Sequence, residues 1–305
     1  MGEATATGQA AGFLEPDLER RFGGLARLYG AKGAQAIRAA HVVVVGLGGV
    51  GSWAAEALAR SGVAALTLID LDNVAESNIN RQVHALSDTV GKAKIDAMRE
   101  RIALINPECQ VTCIEEFVNA DNWPGIADLG NLDAAALKNI SIIDACDQVR
   151  AKTAIAAWAI AHKVRFISVG AAGGKRLAHK VDIDDLSLTT HDPLLAQLRY
   201  RLRREHGAAR TGKIGVACVF SREAVMQPAA VAALAAREEA DAGEETACAV
   251  PDAAVDQSAP DAGDGSLNCH GYGSVVSVTA TFGLCASGWL LNEISKSSAK
   301  SLKSA

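Results

Sequence analysis

The run that most constrains this chain begins at His41: four valines, then Gly-Leu-Gly-Gly-Val-Gly, then Ser52. An all-β-branched stretch reads as a strand buried on both faces, and the glycines permit a sharp turn. The following residues, SWAAEALARSG, form a helical pattern that stops at Gly62. A second apolar strand, residues 65–71, ends in the acidic pair Asp70 and Asp72, with Asp70 nineteen residues after Gly51. Strand, tight turn, helix and strand make a βαβ unit, which requires a parallel sheet. Downstream, residues 91–105 carry apolar side chains at 95, 98, 102 and 105 on one helical face. Strands are expected at 110–114, 140–145 and 164–169, with an alanine-rich helix at 151–162. This alternation predicts an α/β, doubly wound, mostly parallel Rossmann-like sheet.

Composition assigns the remaining stretches. The chain has 305 residues, of which 49% are hydrophobic, enough for a large core. Its net charge of −5 is uneven: residues 228–265 hold nine acids against Arg237, leaving +3 on the rest. We read 228–265 as an acidic, Ala-rich disordered insertion, 1–15 and 297–305 as flexible tails, and 16–227 with 266–296 as the folded domain. The N-terminus has neither a signal-peptide nor a transit-peptide layout, and the seven cysteines lack C-x-x-C spacing. A cytoplasmic protein without a disulfide framework or zinc ribbon is expected. Residues 265–292 carry no Asp, Glu, Lys or Arg, but eight of the nineteen residues at 273–291 are Gly, Ser or Thr. That composition favours a buried, small-residue-packed helix over a membrane span.

Gly46, Gly48 and Gly51 satisfy a dinucleotide-type phosphate loop, and Asp70 is spaced to accept hydrogen bonds from a ribose. NAD and ATP both carry that ribose. The next segment separates them. DNVAESNINRQ (72–82) and VGKAK (90–94) gather Asn78, Arg81, Lys92 and Lys94, groups suited to charge developing on a phosphoryl group rather than to hydride transfer. Lys92 and Lys94 cannot both face one site from a helix, so one of them is solvated. Asp147 follows an apolar strand at the sheet edge where ligands bind; its carboxylate suits Mg²⁺, and it also stands where helix 148–162 would need an N-cap.

GLGGVGS, DLDNVAESNINRQ, GKAK and IIDACDQVRAK together resemble the E1-like adenylating superfamily of ubiquitin-activating enzymes and bacterial sulfur-carrier adenylyltransferases. RRFGGLARLYG, RIALINPEC, the HDPLLAQLRYRLRREHG helix and NCHGYGSVVSVTATFG are similar to one branch, the tRNA threonylcarbamoyladenosine dehydratases. The resemblance implies an E1-like fold in which Gly46, Gly48, Gly49, Gly51 and Ser52 wrap the ATP phosphates. It further implies that Asp70 holds the ribose beside Asp72, that Asn78, Arg81 and Lys94 contact the triphosphate, and that Asp147 holds Mg²⁺. Catalysis would fall to Arg81, Lys94 and Asp147. Many superfamily members are homodimers in which an N-terminal arginine reaches the partner's ATP. Here the corresponding stretch is Arg21-Phe-Gly-Gly, and Arg21 and Arg27 are the alternatives.

Cys269, in LNCHGYG, is the candidate substrate-lining or reactive thiol; five other cysteines lie in or beside apolar runs and read as packing. Arg199, Arg201, Arg203, Arg204, Arg210 and Lys213, opposed only by Glu205, form a candidate tRNA-binding stretch. The expected activity is ATP-dependent dehydration of N6-threonylcarbamoyladenosine in tRNA through a carboxyl adenylate. Activation of a ubiquitin-like sulfur carrier is the alternative, disfavoured by the missing C-x-x-C pairs. A non-catalytic nucleotide-binding scaffold, one that docks a cysteine desulfurase system, is the alternative of another class.

Overall fold

The computed structural model describes residues 16–226 and 272–300. The proposed insertion at 228–265, the tail at 1–15 and Cys269 lie outside the described residues. Seven described strands form one sheet: β1 His41–Val45, β2 Ala65–Ile69, β3 Gln110–Ile114, β4 Ile140–Asp144, β5 Arg165–Val169, β6 Val181–Asp185 and β7 Ala217–Ser221. Their order is β3-β2-β1-β4-β5-β7-β6, all parallel except β6, which runs antiparallel along β7 from Val181 opposite Ser221 to Asp185 opposite Ala217. The expected doubly wound sheet is present.

Eight described α-helices accompany it: α1 Leu18–Phe22, α2 Gly24–Arg38, α3 Gly51–Arg60, α4 Lys94–Ile105, α5 Ala134–Leu137, α6 Val149–His162, α7 Pro193–Glu205 and α8 Val276–Lys300. One face of the sheet is covered by α2, α3, α4 and α8, where Ile37, Leu58, Met98, Ile102, Phe282 and Leu290 are buried together. The other face is covered by α6 and α7, with Ile155, Leu198 and Leu202 against Ile142 and Phe220. Both faces are therefore apolar, which explains the unbroken valines of β1.

The uncharged C-terminal stretch is α8, packed on α2 and α3. A Cβ at Gly283 would come within 2.4 Å of Val50 O, so the helices touch there backbone to backbone. Among the described residues no helix is long and apolar enough to cross a membrane. The helix continues to Lys300, so the stretch expected to be a tail from 297 begins as helix.

The chain leaves β1 toward β2 on one side and returns in β4 on the other, so the carboxyl ends of β1 and β4 flank a topological switch point. A crevice opens there because consecutive connections depart in opposite directions, and in α/β sheets that crevice is where ligands bind.

Candidate active site

A cavity of about 510 Å³ occupies that crevice, lined from the ends of β1, β2, β4 and β5 and capped by Ser274 and Thr279 near the start of α8. The glycines divide into two groups. Gly46, Gly48 and Gly49 line the cavity, whereas Gly51 and Ser52 lie behind it. A Cβ on Gly51 would come within 1.7 Å of Gly46 O, so its role is to let the turn close. Gly46 has φ +86°, in the region that favours glycine, and its Cα side abuts Ala145 O. Ser52 is fully buried and its Oγ accepts from Val83 N at 3.4 Å. The expected phosphate contact of Ser52 is thus corrected: it braces the loop that carries Arg81.

Asp70 forms the floor. Its Oδ2 accepts from Leu47 N at 2.5 Å and its Oδ1 from Asp72 N at 2.9 Å, so it fixes the glycine turn to the end of β2. Burial raises its pKa, opposed by the Lys94 ammonium and these backbone donors. Lys94, buried at the start of α4, donates to Asp72 Oδ2 at 2.6 Å and lies 3.9 Å from Asp70 Oδ1. Lys92 instead pairs with Glu100 at the surface, so Lys94 is the inward member of the pair. His84 is buried, and burial with Lys94 and Arg101 nearby pushes its pKa down to about 4, leaving a neutral ring that adds no repulsion at pH 7.

Asn78 and Arg81 both line the cavity. Asn78 Oδ1 accepts from Ala75 N at 3.0 Å, pinning a short 3₁₀ turn, Glu76–Asn78. Arg81 is held through its backbone: its carbonyl accepts from Trp53 Nε1 at 2.9 Å and Thr279 Oγ1 at 3.5 Å. Its guanidinium donates to Ser77 O at 2.6 Å and Asn80 Oδ1 at 2.9 Å.

Asp147 is exposed to the cavity and makes no hydrogen bond or ion pair with another described residue. It does not cap α6; the N-cap is Gln148, without a side-chain hydrogen bond. A free carboxylate of this kind fits Mg²⁺, which typically takes one or two protein carboxylates and completes its shell with phosphate and water oxygens. No cluster of three His, Cys, Asp or Glu occurs among the described residues.

Sequence reasoning missed the support beneath Asp147. Asp144 and Lys152, both fully buried, bracket the cavity-lining residues 145–148. Lys152 Nζ donates to Asp144 Oδ2 at 3.0 Å, and also to Asp144 O and Ser168 Oγ at 3.3 Å each. Ser168 Oγ donates to Asp144 Oδ2 at 2.7 Å, while Asp144 Oδ1 accepts from Cys146 Sγ at 3.0 Å. Asp192, also missed, caps α7 through Leu195 N and holds the cavity wall through Ala171 N, each at 2.9 Å. Asp144 and Lys152 lie in the stretch IIDACDQVRAK and Asp192 lies near the start of HDPLLAQLRYRLRREHG, just before a helix, but nothing in those stretches marks them as support for the site, and Ser168 is one residue of an apolar strand.

Several expected residues lie elsewhere. Arg199 turns inward, its Nη1 donating to Leu186 O, Thr189 O and Thr189 Oγ1 at 2.9–3.2 Å, because a half-buried guanidinium must satisfy its donors. It is not part of an open cationic face. Arg201 pairs with Glu205, Arg203 Nε donates to Ala209 O, and Arg204 lies over the Tyr200 ring. Arg210 and Lys213 are exposed and make no hydrogen bond or ion pair with a described residue. Arg21 is committed to the end of α4, donating to Ile105 O at 2.7 Å; Arg27 is exposed. Burial raises the pKa of Cys109, Cys113, Cys146, Cys218 and Cys285, in keeping with packing roles.

Comparison with known proteins agrees with this architecture. The chain is 42% identical over 284 residues to the tRNA threonylcarbamoyladenosine dehydratase of Escherichia coli, covering 92% of this chain and 96% of that protein. It is 36% identical to the protein of that name from Haemophilus influenzae, covering 91% and 94%. The crystal structure of the E. coli tRNA N6-threonylcarbamoyladenosine dehydratase in complex with ATP matches with a TM-score of 0.73 at 39% identity, covering 94% of this chain and 99% of that one. A structure of the E. coli enzyme with AMP matches equally well, at 40% identity. The ThiF family matches residues 22–296, and with that span and these relatives the chain belongs to the ThiF family.

Proposed function

We propose that this protein is an ATP-dependent tRNA threonylcarbamoyladenosine dehydratase. The observation that carries the reading is the joint one: a triphosphate-sized crevice holding Arg81, Lys94 and an unpaired Asp147, in a chain similar along nearly its whole length to enzymes of that name. The substrate carboxylate, on the threonyl group of the modified adenosine, attacks the α-phosphorus of ATP and expels pyrophosphate, forming an acyl adenylate. The carbamoyl group of the same side chain then attacks the activated carbonyl. The ring closes, AMP leaves with the carboxylate oxygen, and a proton passes to solvent. The nucleoside loses one water overall.

Arg81 and Lys94 supply positive charge where the phosphoryl oxygens become more negative. Asp147 would hold Mg²⁺, whose chemistry when bound is to neutralise charge shared between phosphoryl groups. Gly48 and Gly49 let the backbone approach the phosphates, and Asp70 keeps the turn at the end of β2. Because the second step is intramolecular, effective molarity substitutes for an enzymic nucleophile. That suits a site whose described cysteines are protonated packing residues.

Nucleoside mass spectrometry of tRNA incubated with protein, ATP and Mg²⁺ tests the reading: a loss of one water from threonylcarbamoyladenosine, dependent on ATP, is expected. Pyrophosphate release that requires a small carrier protein and not tRNA would replace it with carrier activation. For RNA docking, the outer face and end of α7 remain the proposed surface, now reduced to Arg201, Arg203, Arg204, Arg210 and Lys213. Arg203→Glu/Arg204→Glu is expected to weaken tRNA binding by roughly tenfold at moderate salt, through lost phosphate contacts. ATP affinity, measured by calorimetry, should stay unchanged; equal loss of both would make the helix merely structural. A homodimer, and contact with a cysteine desulfurase system, belong to this proposal as partners.

A further inference from the structure

At the opposite end of α3 from the nucleotide crevice lies a second cavity, of about 500 Å³, lined by Arg21, Phe22, Arg60, Arg101, Leu104 and Ile105. Among the described residues its polar lining side chains are all guanidiniums, and no acid lines it. The buried Glu56 carboxylate bonds two of these guanidiniums and is fully used: Oε1 accepts from Arg60 Nε at 2.7 Å and Arg101 Nη2 at 3.2 Å, and Oε2 from Arg101 Nε at 2.7 Å. Arg21 spends one nitrogen on Ile105 O at 2.7 Å. The charge balance decides the character of the cavity. Three cations face one carboxylate, and the carboxyl ends of α3 and α4 add about half a negative charge each. An excess of about one positive charge remains. It sits on guanidiniums whose Nε or Nη1 groups are already fixed by bonds to protein, while the Nη groups of Arg60 donate to no described residue.

We propose that this cavity is an anion site that takes a phosphodiester of the RNA substrate, a second anchor separate from α7. Fixed guanidinium forks match phosphate oxygens, and a cavity offering only donors selects an acceptor-only ligand. The ten residues of α3 separate this cavity from the nucleotide crevice by about 15 Å. An RNA with one base in the crevice therefore has neighbouring phosphates within range. Exposed Leu104 supplies an apolar wall for the adjoining sugar. The inference rests on the RNA reading of the protein, but a base-modifying reaction does not by itself require an anchor here.

The test uses Arg21→Gln/Arg60→Gln and leaves Arg101 in place to neutralise Glu56, so the fold is retained. Filter binding of tRNA over a range of KCl should show affinity falling about tenfold and the slope of log K against log salt becoming shallower by about one to two. ATP affinity and melting temperature should match the parent. Unchanged affinity and slope would overturn the proposal. So would a shift from dimer to monomer on sedimentation, which would place a partner subunit's carboxylates in the cavity. Inorganic phosphate that stabilises the parent but not the variant, with tRNA binding unaltered, would reassign the cavity to small anions and equally reject the RNA anchor. A parent protein that binds tRNA but yields no dehydrated nucleoside fails the functional reading and leaves this one standing.

Discussion

Asp147→Ala is expected to reduce ATP–pyrophosphate exchange on the order of a thousandfold while leaving the melting temperature within about 1 °C of the parent. Both halves follow from the position of the side chain. The carboxylate is exposed in the crevice, does not cap α6 and has no protein partner among the described residues, so its removal frees no buried group. Surface changes away from such features usually stay within about 0.5 kcal/mol. The catalytic loss is of the size seen when one preorganised stabiliser of developing charge is deleted. Asp147→Asn should be nearly as poor, because shape is kept and charge is lost. Exchange at the parental rate in either variant would remove Asp147 from the chemistry, and a fall in activity matched by a fall in stability would make it structural.

Lys152→Met should have the reverse signature, destabilising the fold first. Lys152 and Asp144 are both fully buried, and the methionine leaves the Asp144 carboxylate without its counter-ion. Breaking one side of a buried pair costs about 3–5 kcal/mol, equivalent to a drop on the order of 10 °C in a chain of this size. Removing both charges in Asp144→Leu/Lys152→Met should restore much of the loss, short of the unpaired Ser168 hydroxyl, which costs about 1–3 kcal/mol. Calorimetry of the two variants side by side checks this. A single variant that melts like the parent would mean that water reaches the pair and that the clamp beneath residues 145–148 is not closed.

The βαβ unit could be read from residues 41–71 because its signals are local. Four valines fit only a strand covered on both faces, Gly46 takes a positive φ that other residues avoid, and Gly51 lies against the Gly46 carbonyl, where a Cβ has no room. Lys92 and Lys94 do face different ways, but not for the helical reason expected: α4 begins at Lys94, and Lys92 lies in the bend before it. The roles of Ser52 and Arg199 were misjudged for a shared reason: motif spacing places a residue near a site but does not say which way its side chain turns. Ser52 found the Val83 amide and Arg199 found three acceptors around Leu186 and Thr189, all made available by distant segments.

Local steric rules and hydrophobic period thus predicted, from the sequence alone, the strands β1–β5, the helices α3, α4, α6 and α8, the parallel sheet and the phosphate-type turn, whereas β6 and β7 were not foreseen and Arg81, Lys94 and Asp147 were singled out by their charge and by the family resemblance. Tertiary structure alone decided the rest: the strand order that opens a crevice between β1 and β4, the burial of the Asp144–Lys152–Ser168 clamp, and the convergence of Arg21, Arg60 and Arg101 from three helices. The physical reason is that burial and charge pairing depend on neighbours far along the chain. Ser168 meets Asp144 across 24 residues and Arg101 meets Glu56 across 45, distances over which no local pattern carries information.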